Sequence, residues 1–219
     1  MQEVPVAPRN NVIVKISQRF YDSVKFDSGV VLYFDPSWDP SEYAMLEGVV
    51  ESVPRSIMKR KDYEGFSADG IKRGDRILFR YDVIFSYLSQ PDRDSVRFKN
   101  EIWWHETSYW KVDIQKIFCT VHGDAKSFSG LKYSMLNGYV LCDLITEYKS
   151  DLYSDNIIRP ESEKMVVRLD RAKVKAIGEN NLEVQPGDTI WFSPKIPQVY
   201  SLNRKKFIIV SQRHILAVT

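Results

Sequence analysis

Side chains able to act as nucleophiles, metal ligands or proton carriers are few and scattered in this chain. Cys119 and Cys142 are its two cysteines, and His105, His122 and His214 its three histidines. A structural zinc site takes four Cys/His ligands in closely spaced pairs, and neither CxxC nor HExxH occurs, so no metal site is predicted. Two cysteines do not make a disulfide framework. Both sit in apolar, β-like runs, which predicts buried free thiols. His105 and Glu106 form an adjacent imidazole–carboxylate pair, but in a strand neighbouring side chains point to opposite faces, a poor geometry for acid–base work. A GxSxG nucleophile elbow and a glycine-rich phosphate loop are both missing. The expectation is a protein that is not an enzyme and holds no cofactor.

Composition narrows the class further. With 219 residues, 43% apolar and 27% charged, the chain is long enough for two small domains and too rich in hydrophobes for a disordered one. Basic and acidic residues number 31 and 29, a formal charge of +2. Nucleic-acid binding usually leaves a stronger basic footprint, so none is expected. No apolar run approaches the ~20 residues that cross a bilayer. The opening MQEVPVAPRN lacks the basic-then-apolar pattern of a signal peptide. No membrane association and a cytoplasmic location are expected. Two cation triplets, Lys59-Arg60-Lys61 and Arg204-Lys205-Lys206, read as solvated turns. The aromatic concentration from Ile102 to Trp110 reads as packing or an interface.

The elements that must position anything functional are strands. Asn11–Ile16, Ser28–Phe34, Gly48–Val53, Arg76–Tyr81 and Trp110–Val121 are short runs rich in β-branched and aromatic residues, bordered by Gly, Pro and Asp. Helical periodicity is confined to single turns at Val112–Lys116 and Val210–His214. The pattern then starts again after a small, polar stretch, Gly123–Gly130. Asn10–Leu32 lies over Asn137–Arg159, and Gly48–Val53 over Ala172–Ile177. IKRGDRILF (Ile71–Phe79) lies over VQPGDTIWF (Val184–Phe192), and Tyr109–Thr120 over Phe207–Val218. Gly74 and Gly187 admit backbone angles that other residues resist. Asp75 and Asp188 can bond their own backbone in the turn. The reading is all-β: two tandem small β-barrels, since closing a sheet removes its exposed edges. Domain 1 is 1–122, with insertions near 54–70 and 80–108; 123–130 is a linker, and domain 2 is 131–219.

These blocks, in this order, resemble the GroES-type co-chaperonin family, present as two tandem divergent copies. The likeness is carried by Val12–Lys15, Gly29–Leu32, Gly48–Val53 and Lys72–Phe79 in the first copy. In the second it is carried by Val184–Phe192 and by FIIVSQRHILAV, Phe207–Val218. The resemblance implies a GroES-like fold and a non-enzymatic protein that caps a GroEL-type chaperonin and assists folding. In that family a mobile loop between the first two strands ends in an apolar tripeptide that docks into the chaperonin. Here the loop is Ser17–Tyr43, and the docking residues are Gly29, Val30, Val31 and Leu32. A core strand is the other reading of that run. The second copy offers Ile157 and Ile158, followed by Arg159, whose charge would be costly in an apolar groove.

The resemblance also implies a homo-oligomeric ring built by strand addition, which within the chain places Gly138–Leu144 beside Ile114–Val121. Ile57–Tyr63 falls where the family has its roof hairpin. The alternative function is a GroES-like structural or interaction protein that has lost chaperonin binding.

Overall fold

Strands form where β-branched runs meet turn residues able to reverse the chain. The structure is a computed structural model describing residues 3–20, 23–25, 28–33, 43–58, 61–85, 100–123, 131–148, 165–178, 183–193, 198–202 and 205–219. The chain divides into two units, Met1–Asn137 and Gly138–Thr219.

In the first unit, β1 (Asn11–Lys15) is central, with Val12, Ile13 and Val14 all buried. It pairs antiparallel with β4 (Glu47–Ser52) on one side and β7 (Thr107–Asp113) on the other. β5 (Arg76–Phe79), β6 (Glu101–Trp104), β8 (Ile117–His122) and β9 (Lys132–Met135) complete a seven-stranded sheet, order β6-β7-β1-β4-β5-β8-β9. Val12, Val14, Val50, Ile77, Phe79, Trp110 and Ile117 form its core. A separate two-stranded hairpin joins β2 (Ser23–Lys25) to β3 (Val31–Tyr33).

The second unit is a six-stranded sheet. Its strands are β10 (Tyr139–Tyr148), β11 (Met165–Ala176), β12 (Thr189–Phe192), β13 (Gln198–Leu202), β14 (Lys205–Ser211) and β15 (Ile215–Val218). Their order is β13-β14-β10-β11-β12-β15. This is the order of β6-β7-β1-β4-β5-β8, strand for strand. Val140, Cys142, Ala172, Val174, Ile190, Phe192 and Ile208 form the core.

The turns agree as well. Gly74 and Gly187 have φ of +92° and +103°, and nothing crowds the space where a Cβ would stand, so the need for glycine is conformational. Asp75 Oδ2 accepts the Lys72 N–H at 2.7 Å, and Asp188 Oδ2 accepts the Gln185 N–H at 2.8 Å. Three-residue 3₁₀ turns, Ile114–Lys116 and Gln212–His214, join β7 to β8 and β14 to β15. They are shorter than the expected helical turns because Val112 and Val210 belong to the preceding strands.

Two expectations are corrected. The strand beside β8 is β9, not Gly138–Leu144, which lies in and just before β10 between β14 and β11. Asn137 and Gly138, with φ of +56° and +69°, turn the chain between β9 and β10. His105 and Glu106 occupy a turn, both with positive φ (43° and 60°), not a strand. Trp103↔Ser108 and Trp104↔Thr107 pair on either side of it, which leaves a two-residue hairpin connection.

Around the expected roof segment, whose Lys59 and Arg60 lie outside the described residues, Ile57, Tyr63, Phe66 and Ala68 pack on the first core, while Lys61 and Asp62 are exposed. Met58 N–H donates to Asn10 Oδ1 at 2.5 Å, Tyr63 O–H to Asp113 Oδ2 at 2.6 Å, and Ser67 N–H to Asn137 Oδ1 at 3.0 Å. Polar side chains ahead of β1, at the end of β7 and after β9 thus strap Met58, Tyr63 and Ser67 down. In the 80–108 stretch a single helical turn, Asp82–Phe85, buries Val83 and Ile84 completely, and Asn100 Nδ2 donates to the Val83 carbonyl at 2.8 Å. Its β6 has a counterpart in β13.

Candidate functional site

The loop after β1 leaves from a clamped root. Phe20 bridges to Ala44, and Met45 N–H donates to the Arg19 carbonyl at 2.8 Å. Arg19 Nη2 meets Glu101 Oε1 at 2.9 Å, an oxygen that also accepts from Ser108 Oγ at 2.7 Å. The guanidinium lies 5.9 Å from the Trp110 ring centre, within cation–π range. Phe20 packs on the first core. The loop ends are therefore held while its middle leaves the sheet.

That middle is the β2–β3 hairpin, with Ser23↔Tyr33, Val24↔Leu32 and Lys25↔Val31 in register. Gly29 has φ +84° and open space where a Cβ would stand. Beyond it, Val30, Val31, Leu32 and Tyr33 are 59%, 40%, 56% and 73% exposed. The run is not part of either core. An exposed apolar row on a two-stranded hairpin is a surface that gains by being covered. Covering the remaining area of Val30, Val31 and Leu32 is worth roughly 2–5 kcal/mol, about half the value of burying each side chain outright. Ile157 and Ile158 lie outside the described residues.

The stems of the second loop are built differently. β10 and β11 stay paired out to Tyr148↔Met165, whereas β1 and β4 part at Lys15↔Val49. An irregularity in that ribbon brings charges together. Arg168 takes Asp170 in a two-pronged pair at 2.8 and 2.6 Å and reaches Glu147 at 3.3 Å. Arg171 also pairs with Glu147 and lies 4.7 Å over the Trp191 ring. The hydrogen bonds from Arg168 hold the Asp170 carboxyl below its usual range.

The remaining reactive groups are dispersed over the fold. Cys119 and Cys142 are buried and free, and burial pushes the Cys142 thiol up to about 12 and that of Cys119 higher still. Cys119 and His122 are three apart, yet strand positions so spaced face opposite ways, and His122 Nε2 lies 3.1 Å from Thr120 Oγ1. Burial lowers the pKa of His214, and Arg213 lowers it further. His105 stacks edge-on against Trp104 at 5.2 Å. Among the described residues, no group of three or more His, Cys, Asp or Glu is placed to hold a metal ion, and no helix is long and apolar enough to cross a membrane. The expected aromatic cluster splits: Trp110 is fully buried in the core, while Trp103 is largely exposed at the hairpin end.

Sequence reasoning missed the Arg19–Glu101–Ser108 clamp and the turn role of Asn10 and Asn137. The clamp spans distant positions and leaves no local pattern. The asparagines were legible, since Asn is among the few residues that tolerate positive φ.

One stretch of the chain is similar to a known family. Residues 132–219 match the family described as the Chaperonin 10 Kd subunit. The match begins at β9 and runs through β15. No curated protein matches the chain.

Proposed function

We propose that this chain is a co-chaperonin-like binding protein, two GroES-like β-barrels in tandem, that caps a GroEL-type chaperonin and assists folding without catalysis or cofactor. The observation that carries the reading is the row Val30-Val31-Leu32, exposed on a hairpin, in a chain whose other unit matches the chaperonin 10 kDa family. The tripeptide docks in an apolar groove of the chaperonin, with Gly29 setting the turn. A preformed hairpin spends less of its interaction energy on ordering, and several copies add avidity.

The shared strand order, the paired Gly-Asp turns and the two 3₁₀ turns support tandem copies of one fold. The β8–β9 ladder supports assembly by strand addition. In the same register, the segment ahead of β1 in one copy would pair with β15 of the next and build a ring.

The test is capture by a chaperonin in the presence of nucleotide. Wild type is retained, and Val31→Asp, which places a charge in an apolar contact, is lost without a change in melting temperature. Equal retention of both proteins, or of neither, rejects the reading.

A further inference from the structure

The segment Val4–Pro8 precedes β1 as β9 precedes β10, each reaching an asparagine with positive φ, Asn10 or Asn137. β9 adds to β8: Leu136 N–H donates to the Phe118 carbonyl at 2.8 Å, and with alternate residues facing the same neighbour, Ser134 and Lys132 also face β8. Under this cover Phe118 is 3% exposed.

β15 is the counterpart of β8, and among the described residues its outer edge is unpaired. Thr189 and Thr219 exchange both backbone hydrogen bonds, at 2.7 and 2.9 Å, so the Val218 N–H points away from β12. Leu216, in the place of Phe118, is 74% exposed.

Val4–Pro8 is engaged elsewhere. Ala7 is buried against Ile13 and Tyr109, with Val4 and Ile102 alongside. Its N–H donates to Ser52 Oγ at 3.0 Å. Ala7 holds the position of Ser134, the residue whose N–H faces β8. The donor that a ladder with another copy's β15 requires is thus already taken by the chain's own β4. The second unit has Ala176 where the first has Ser52, so no hydroxyl competes there.

We propose that Val4–Pro8 is a parked strand: Ser52 and the Ile13–Tyr109 patch hold it on its own unit, and its release onto the β15 edge of a second copy gates self-assembly. This rests on the strand-addition part of the proposed function. Sedimentation velocity over a concentration series tests it. Ser52→Ala removes the competing acceptor, and the concentration at which copies associate falls roughly 2- to 10-fold, the worth of one hydrogen bond. Ser52→Thr keeps the hydroxyl and the wild-type midpoint. Val218→Pro deletes an outward N–H without touching the β12 ladder, and it abolishes association in both wild-type and Ser52→Ala backgrounds. An unchanged midpoint in Ser52→Ala, association that survives Val218→Pro, or a single-copy species at every concentration in both backgrounds overturns the proposal. Failure of the chaperonin to capture the wild-type protein, with the Ser52→Ala shift intact, rejects the docking reading and leaves this one standing.

Discussion

Replacing Asn137 tests how the first unit holds its strap and turn together. Its side chain makes three contacts: Nδ2 donates to the Ile114 carbonyl at 2.9 Å and to the Ile117 carbonyl at 3.4 Å, and Oδ1 accepts from Ser67 N–H at 3.0 Å. Its φ is +56°. Asn137→Gly removes the contacts and keeps the backbone freedom. Counting the 2.9 and 3.0 Å bonds at about 0.5–1.5 kcal/mol each and the longer one as negligible, it costs about 1–3 kcal/mol. Asn137→Ala adds the strain of a Cβ at positive φ, about 1–2 kcal/mol more, for a total of about 2–5 kcal/mol. Urea unfolding followed by tryptophan fluorescence reads the difference, since Trp110 is fully buried in that core. The expected order is wild type, then glycine, then alanine. Trypsin also cuts sooner at Lys61 and Lys72 in both variants, because Ser67 N–H no longer ties the strap. A glycine variant as stable as wild type removes the hydrogen-bond argument. An alanine variant equal to glycine removes the backbone one.

Tyr63 links the strap to pH. Its pKa is raised, first by the hydrogen bond to Asp113 and then by burial, so the folded state favours the neutral phenol. That contribution is whole below the ordinary tyrosine value near 10 and is lost as pH rises through the higher folded value. Tyr63→Phe should lower stability at pH 8 and flatten its alkaline decline, as measured by urea midpoints from pH 8 to 11. Gly187→Ala should cost about 1–2 kcal/mol in thermal or urea unfolding of the second unit, because φ is +103° and the space around it is open, so strain and not collision sets the loss. The buried thiols predict that a disulfide reagent titrates Cys119 and Cys142 at the rate of unfolding in native buffer and at once in denaturant; immediate native reaction would contradict that burial.

Strand identity, the repeat of strand order and the Gly-Asp turns were legible because each is written in local pattern. Val184–Phe192 repeats Ile71–Phe79 in both apolar phase and turn chemistry, and β5 and β12 fall at matching places. What was not legible depends on distant partners. Ile57–Tyr63 reads as a polar tip, and only in the fold do Asn10 and Asp113 arrive from elsewhere in the chain to accept from the Met58 N–H and the Tyr63 hydroxyl. Val30–Leu32 has the composition of a core strand, and only its exposure removes it from the core. Composition fixes what a side chain gains by burial, but not whether its own fold or a partner provides the cover.

That distinction bears on where family likeness and docking capacity reside. The matched stretch, 132–219, contains the Gly187-Asp188 turn and the buried run Phe207–Val210 of β14. Positions like these are set by turn geometry and packing, so they remain recognisable while the surface diverges. A docking tripeptide is constrained by the partner and not by the fold. In this chain the exposed apolar row sits in the first unit, outside the match, while the second unit zips its loop stems with β10–β11 pairing out to Tyr148↔Met165. The Glu147–Arg168–Asp170 pairs along that ribbon are half-exposed and add little individually, so the ladder itself holds it. The second unit carries the family match, and the first presents the exposed apolar row. Under the proposed reading, Val31→Asp removes chaperonin capture while both sheets stay folded, because Val31 belongs to neither core.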